Sequence, residues 1–310
     1  MALTVNQAFD ELLSRLELNQ ARIDLASQRY AAVKGHLETA LPGKTVRQIG
    51  SFQRRTKIHP GAVNGPWDID VAVCFDDVTA YATDGNGITP QKSLDIVRAA
   101  LTSNQNYKVM GPVRDAPVVV LKYADGFKIE LVPCYRERTG KYPRPGGPAA
   151  YIVPSPQNAW VPADYDFDAQ LISSLNQTAA AGNLVPAIKL VKGFVRAQSL
   201  PLKSFHIEVL CAAVVPDLVR GWKLTGILWQ TQHLFAHTLT GLAQMLHQPA
   251  SLPGSHSVAA DSGFGPAERA HYAAVFDKYA GCARKALELD EAAGVVDLWR
   301  QIYGEPFPAE

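Results

Sequence analysis

"IGSFQRRTKIHPGAVNGPWDIDVAV", residues 49–73, is the stretch on which the fold turns. Trp67 to Phe75 reads as a compact strand, and in it Asp68 and Asp70 flank a single isoleucine. Alternate strand residues share a face, so both carboxylates project the same way. Two like charges so close are unfavourable unless something positive sits between them. Just upstream, "TVRQIGS" (45–51) reads as a short strand that breaks at Gly50. A Gly-Ser pair where a strand opens onto a helix offers backbone N–H groups and a hydroxyl to a phosphate.

A third acid lies further along. "APVVVLKYADGFKIELVPCY" (116–135) carries two β-rich runs around "ADG", the pattern of a hairpin with Gly free to take positive φ. In its second run Lys128, Glu130 and Val132 share one face, while Ile129 and Leu131 point the other way. A glutamate in so apolar a strand is costly to bury without a partner. Asp68, Asp70 and Glu130 converging on shared Mg²⁺ ions would satisfy all three, because hard oxygen ligands on rigid strands suit that cation. Metals held by acids beside a phosphate-cradling turn describe phosphoryl or nucleotidyl transfer.

Outward from this centre, residues 6–39 read as one long helix, with Phe9, Leu12, Leu16, Ile23, Tyr30, Val33 and Leu37 at helical spacing and "LPGK" (41–44) to stop it. A second helix is expected over 90–103 behind Pro90. These elements predict a small mixed sheet with one helix in front and one behind. The stretch from about 140 to 168 is rich in Pro and Gly and reads as a long connection with little regular structure. Helical periodicity dominates 168–245 and 266–303. The expected fold class is therefore α+β and bilobed: a sheet lobe with its amino-terminal helix over 1–160, and a helical lobe over 161–310.

Composition narrows the partners. With 47% hydrophobic and 19% charged residues among 310, the chain can build packed cores and does not read as disordered. A net charge of +1 argues against gripping long nucleic acid and favours small anionic ligands. The four cysteines are scattered and form no C-x-x-C, as expected of reduced buried thiols. The start has no basic, apolar leader pattern and no run approaches a membrane span, so a soluble cytoplasmic protein is expected.

The joint pattern resembles the polymerase-β-type nucleotidyltransferase superfamily. "LVPAIKLVKGFVRAQSLPLKSFHIEVL" (184–210) is similar to the helical-lobe segment of oligoadenylate synthetases and cyclic GMP–AMP synthase-like enzymes, with a Lys-bearing helix followed by a Ser-aromatic pair. The chain most resembles their bacterial branch, the CD-NTases of anti-phage cyclic-oligonucleotide signalling. That resemblance implies a Mg²⁺-dependent synthase of a cyclic di- or trinucleotide, ATP among its substrates, using two Mg²⁺ ions with Mn²⁺ able to substitute. It implies that Gly50 and Ser51 hold the donor triphosphate, that Asp68 and Asp70 bind both metals, and that Glu130 shares the one activating the sugar hydroxyl. It further implies triphosphate contacts from Lys192 and Ser204, base stacking on Phe205, a regulatory protein partner, and a downstream effector that binds the product. Two departures stand out: the interval from Ser51 to Asp68 is longer than the family's usual spacing, and the third acid is Glu where many relatives carry Asp.

Two other readings of the same residues stay open: a template-independent transferase acting on RNA ends, and a catalytically silent nucleotide-binding sensor. Glu208 is expected to brace the helical lobe. His233 and His237 sit one helical turn apart but lack the further ligands of a zinc site. Trp67, Tyr81 and Trp160 read as packing residues.

Overall fold

The protein is described from a computed structural model covering residues 3–61, 67–76, 88–136, 150–251, 260–261, 263–289, 294–304 and 307–308. The amino-terminal segment forms two helices where one was expected: α1 (Val5–Leu16) and α2 (Gln20–Ala40). The break falls at Glu17, which is extended, and Asn19 restarts the helix by accepting from the Arg22 N–H at 2.9 Å. Its physical reason is that the two helices serve different cores. Phe9, Leu12 and Leu16 pack with the carboxy-terminal helices, whereas Val33 and Leu37 pack against the sheet.

The sheet contains β1 (Thr45–Ile49), β2 (Trp67–Cys74), β3 (Val113–Asp115), β4 (Val118–Lys122) and β5 (Phe127–Arg136). Its order is β1-β2-β5-β4-β3, with β2 parallel to β5 and the other pairs antiparallel. The expected hairpin is β4–β5. Ile69, Val71 and Val73 join Ile129 and Leu131 on one face. Both α2 and α4 (Pro90–Thr102) cover that same face, through Val33, Leu37, Val97 and Leu101. The front-and-back arrangement expected from the sequence is thereby corrected. Apolar residues dominate the odd positions of β2 and β5, so that face takes both helices. The other face is acidic at Asp68, Asp70 and Glu130 and apolar only beyond them, where Ala72, Cys74, Val132 and Cys134 pack with Tyr151 and Val153.

A second correction concerns the Pro-rich stretch. Where the described residues resume at 150, Tyr151–Pro154 (β6) and Trp160–Ala163 (β7) form a hairpin that pairs with the end of β5 through Tyr135 and Arg136. Pro162 lies on its outer strand, a position where a missing N–H is tolerated.

Among the described residues the remaining helices are α6 (Tyr165–Gln177), α7 (Leu184–Ala197), α8 (Ser204–Thr225), α9 (Thr231–Met245), α10 (Pro266–Leu289) and α11 (Val295–Tyr303), following the short α3 (Gly50–Gln53) and α5 (Gln105–Met110) of the sheet lobe. Phe9 of α1 sits at the centre of their core, with Trp299 edge-on at 4.8 Å and Phe307 at 5.3 Å. Among the described residues, no helix is long and apolar enough to cross a membrane.

Candidate active site

β2 and β5 run parallel in a register that makes Asp70 the partner of Glu130 and Asp68 the partner of Lys128. The three acids therefore lie on one face of two adjacent strands, as their sequence parity required. Antiparallel β1 ends with Ile49 opposite Asp70, which delivers Gly50 against that carboxylate. Gly50 has φ +74°, and a Cβ placed on it would come within 1.9 Å of Asp70 Oδ2. Glycine is thus required twice over, for the backbone and for the approach. The turn that follows opens α3, and Ile49 provides no side-chain cap to its N–H groups.

The three acids line a cleft of about 870 Å³ between the sheet lobe and the helical lobe. Ser51, Arg54, Lys57 and the three acids form one wall; Lys192, Arg196, Lys203, Ser204 and Phe205 form the other. The volume lies within the range of small-molecule sites. Five cationic side chains around three acids suit a polyanion that arrives with divalent cations.

The positive charge that the paired aspartates require comes from two lysines. The Lys57 ammonium donates to Asp68, and Lys128 donates to Glu130 while lying 3.8 Å from Asp68 Oδ2. As the side chains lie, no three His, Cys, Asp or Glu residues among those described form a metal-ligand cluster, and two of the three carboxylates are paired with lysines. The donor set nonetheless fits a hard divalent cation: three carboxylates supplying oxygen ligands only, on rigid paired strands. Burial pushes the Asp70 carboxyl up; Lys57 opposes this and Glu130 adds to it. Burial also draws the Lys57 ammonium down to about 8 against the pull of Asp70, with Lys192 and Lys128 repelling it.

Lys192, on α7, is buried. It donates to Glu208 at 2.6 Å and to the Thr56 carbonyl at 3.0 Å. Glu208, on α8 and fully buried, also accepts from Thr56 Oγ1 at 2.8 Å and from Arg54. Burial alone would raise the Glu208 carboxyl, but the charges and hydrogen bonds of Lys192 and Arg54 outweigh it and bring it down to about 2. Glu208 is the brace expected of it, and it spans both lobes. Ser204 is exposed and is the first residue of α8, whose N-cap is Lys203. Phe205 is half-buried, with the Arg54 guanidinium 5.1 Å from its ring centroid.

Behind the Gly-Ser turn, Asp166 of α6 accepts from Gln53 at 3.0 Å, Tyr151 at 2.8 Å and Arg136 at 2.9 Å, with Arg47 at 3.4 Å. Sequence reasoning missed Arg54, Thr56, Lys57 and Asp166. The run "RRTK" directly after the turn was the available signal for the first three; nothing local marks Asp166.

Other candidates resolve as packing. Trp67 lies 4.4 Å from Phe127, and the Trp160 indole donates to the Ile88 carbonyl at 3.1 Å. Tyr81 lies outside the described residues. His237 packs edge-on to Trp222 at 5.4 Å, and His233 Nδ1 lies 3.4 Å from the Gln230 N–H.

Acids in register on two strands, a glycine turn against them and a cationic helical wall define a nucleotidyltransferase-like centre. Residues 3–159 match the Second Messenger Oligonucleotide or Dinucleotide Synthetase (SMODS) domain, and the chain belongs to that family of cyclic-oligonucleotide synthase nucleotidyltransferases. A probable cyclic nucleotide synthase of Bacillus cereus is 18% identical, over 100% of this chain and 99% of that protein. The fold is that of Vibrio cholerae DncV, a cyclic AMP-GMP synthase solved with the linear intermediate pppA(3′,5′)pG (TM-score 0.74, 11% identity, 99% of this chain and 97% of that one). It is similar too to Escherichia coli MS115-1 CdnC, solved in complex with HORMA-deltaN (TM-score 0.68, 15% identity, 98% of both chains).

Proposed function

We propose that the protein joins nucleoside triphosphates, ATP among them, into a cyclic di- or trinucleotide. A ribose hydroxyl attacks the α-phosphate of a bound nucleotide, pyrophosphate leaves, and a final attack within the linear product closes the ring. The observation that carries this reading is the register of Asp70 with Glu130, beside Asp68 and opposite a cationic wall. Asp68 and Asp70 would hold two Mg²⁺ ions, with Glu130 sharing one, and the bound metals would neutralise the triphosphate and acidify the attacking hydroxyl. Gly50 and Ser51 receive the triphosphate through backbone N–H groups and a hydroxyl, and Ser204 adds a second hydroxyl from the opposite wall. Lys192 contributes positive charge from the helical wall while its ammonium stays braced on Glu208. Phe205 offers a ring face to a base, a contact tolerant of base identity.

The division into a catalytic lobe (1–160, apart from α1, which packs in the helical core) and a helical lobe (161–310) belongs to this reading, as do work in the cytoplasm and a role in anti-phage defence. So does a pair of protein partners: a regulator, by analogy with the CdnC complex, and an effector that binds the product. Purified protein incubated with labelled nucleoside triphosphates and Mg²⁺ or Mn²⁺, then treated with phosphatase, tests it. A phosphatase-resistant product, absent from Asp68→Asn/Asp70→Asn, is the expected result. A phosphatase-sensitive ladder would instead identify a terminal transferase.

A further inference from the structure

The lysine that holds Asp68 is not on the strand that carries the acids. Lys57 belongs to the segment after α3, whose backbone is tied down on both sides of it. Thr56 is held by its N–H to the Ser51 carbonyl at 3.0 Å, by its carbonyl to Lys192, and by its hydroxyl to Glu208. His59 is held by its N–H to the Leu16 carbonyl at 2.7 Å and by its carbonyl to Arg196. Both lobes therefore fix where the Lys57 stem is rooted, in the cleft wall between the Gly-Ser turn and the acids. Only the flexible side chain is left to move. Lys128 differs: it is rooted in β5 itself and does not line the cleft.

We infer that Lys57 is an exchangeable counter-ion, neutralising Asp68 in the empty cleft and passing to the nucleotide's phosphates when metal and nucleotide enter together. The inference rests on the proposed metal and nucleotide site. Asp68 cannot accept a divalent cation while an ammonium occupies it without bringing two cations into contact. An incoming triphosphate supplies the anionic partner that lets the lysine leave Asp68 without becoming an unpaired charge in a partly buried site. Metal alone is then disfavoured, metal with nucleotide is favoured, and binding is coupled in both directions.

The test measures Mn²⁺ binding to the protein by the loss of the free-ion paramagnetic resonance signal, with and without the non-reacting analogue α,β-methylene-ATP, after subtracting the loss that the analogue alone causes by chelating Mn²⁺. In wild type, the analogue tightens Mn²⁺ binding. In Lys57→Met, Mn²⁺ alone binds at least about tenfold tighter, as removal of an adjacent charge at an intermediate dielectric requires. The same variant binds the analogue more weakly in the absence of metal. Lys57→Arg, which keeps the charge, behaves as wild type and reports that the cleft is folded. Unchanged Mn²⁺ affinity in Lys57→Met, or unchanged analogue affinity, overturns the inference. If, with the analogue present, Asp68→Asn/Asp70→Asn binds Mn²⁺ as well as wild type does, the metal reading itself falls, and Lys57's role with it.

Discussion

Gly50 and Asp70 occupy adjoining space: a methyl group on the glycine would overlap the Asp70 carboxylate, its Cβ 1.9 Å from Oδ2 and 2.8 Å from the Asp70 Cβ. The phosphate-facing turn and the acid strand are thus fitted to each other, and the contact is possible only because residue 50 has no side chain.

Gly50→Ala should therefore damage activity more than stability. A non-glycine residue in the left-handed region costs about 1–2 kcal/mol. Displacing a catalytic group by about 1 Å can cost on the order of 100-fold in rate. Initial rates of product formation, compared with the urea midpoint, check this. A rate within a few-fold of wild type would sink the fitted-turn account.

Glu208 is the single carboxylate between Arg54, Thr56 and Lys192, and all of its partners lose their anion in Glu208→Gln. Breaking a buried pair from one side costs about 3–5 kcal/mol, and that loss is expected in urea unfolding at pH 7. The folded carboxyl titrates at about 2 against an ordinary 4.5, so its contribution is complete above pH 4.5 and fades as pH falls toward 2. The gap between wild type and Glu208→Gln should accordingly be widest near neutrality and narrow below pH 4.5. A gap independent of pH would contradict the assignment.

Asp166 ties the α3 turn to α6 through Gln53 while balancing Arg136 and Arg47. Asp166→Asn keeps the shape but gives up the charge, with an expected loss of about 1.5–3 kcal/mol for its charge-assisted bonds. Because the turn it steadies is the one offered to phosphate, KM for nucleotide should rise more than kcat falls. Steady-state kinetics that showed kcat alone reduced would place Asp166 elsewhere in the mechanism.

Phe205 lines the cleft, with the Arg54 guanidinium 5.1 Å from its ring centroid. Loss of a stacking ring is worth about 1–3 kcal/mol per base, so Phe205→Ala should weaken binding of a non-reacting nucleotide roughly 5- to 150-fold. Phe205→Trp should keep most of the affinity. Calorimetric titration distinguishes the two; equal weakening in both variants would make Phe205 a packing residue only.

Much of this centre was legible in the chain. Alternation along a strand put Asp68 with Asp70, and Glu130 away from Ile129 and Leu131, because side-chain direction repeats every second residue whatever the strand pairs with. The Gly-Ser break, the β4–β5 hairpin and the helical second half are likewise local, set by turn chemistry and apolar spacing. What stayed hidden depends on which surfaces meet. The 6–39 stripe reads as continuous, yet it divides at Glu17 because Phe9 and Val33 belong to different cores. Pro-rich spacing concealed β6 and β7, which exist by pairing with the end of β5.

By itself, then, the sequence determined the acids, their shared faces and the turn beside them, since these follow from the conformation of single segments. The register of β2 with β5, which makes Asp70 and Glu130 partners, came only from the tertiary structure. So did the charges that satisfy them. Lys57 reaches Asp68 from outside the strand, and Glu208 meets Arg54 across 154 residues of chain. Such pairings are decided by how two lobes pack, because a charge entering a closing cleft must be neutralised by whichever opposite charge the other elements bring within reach.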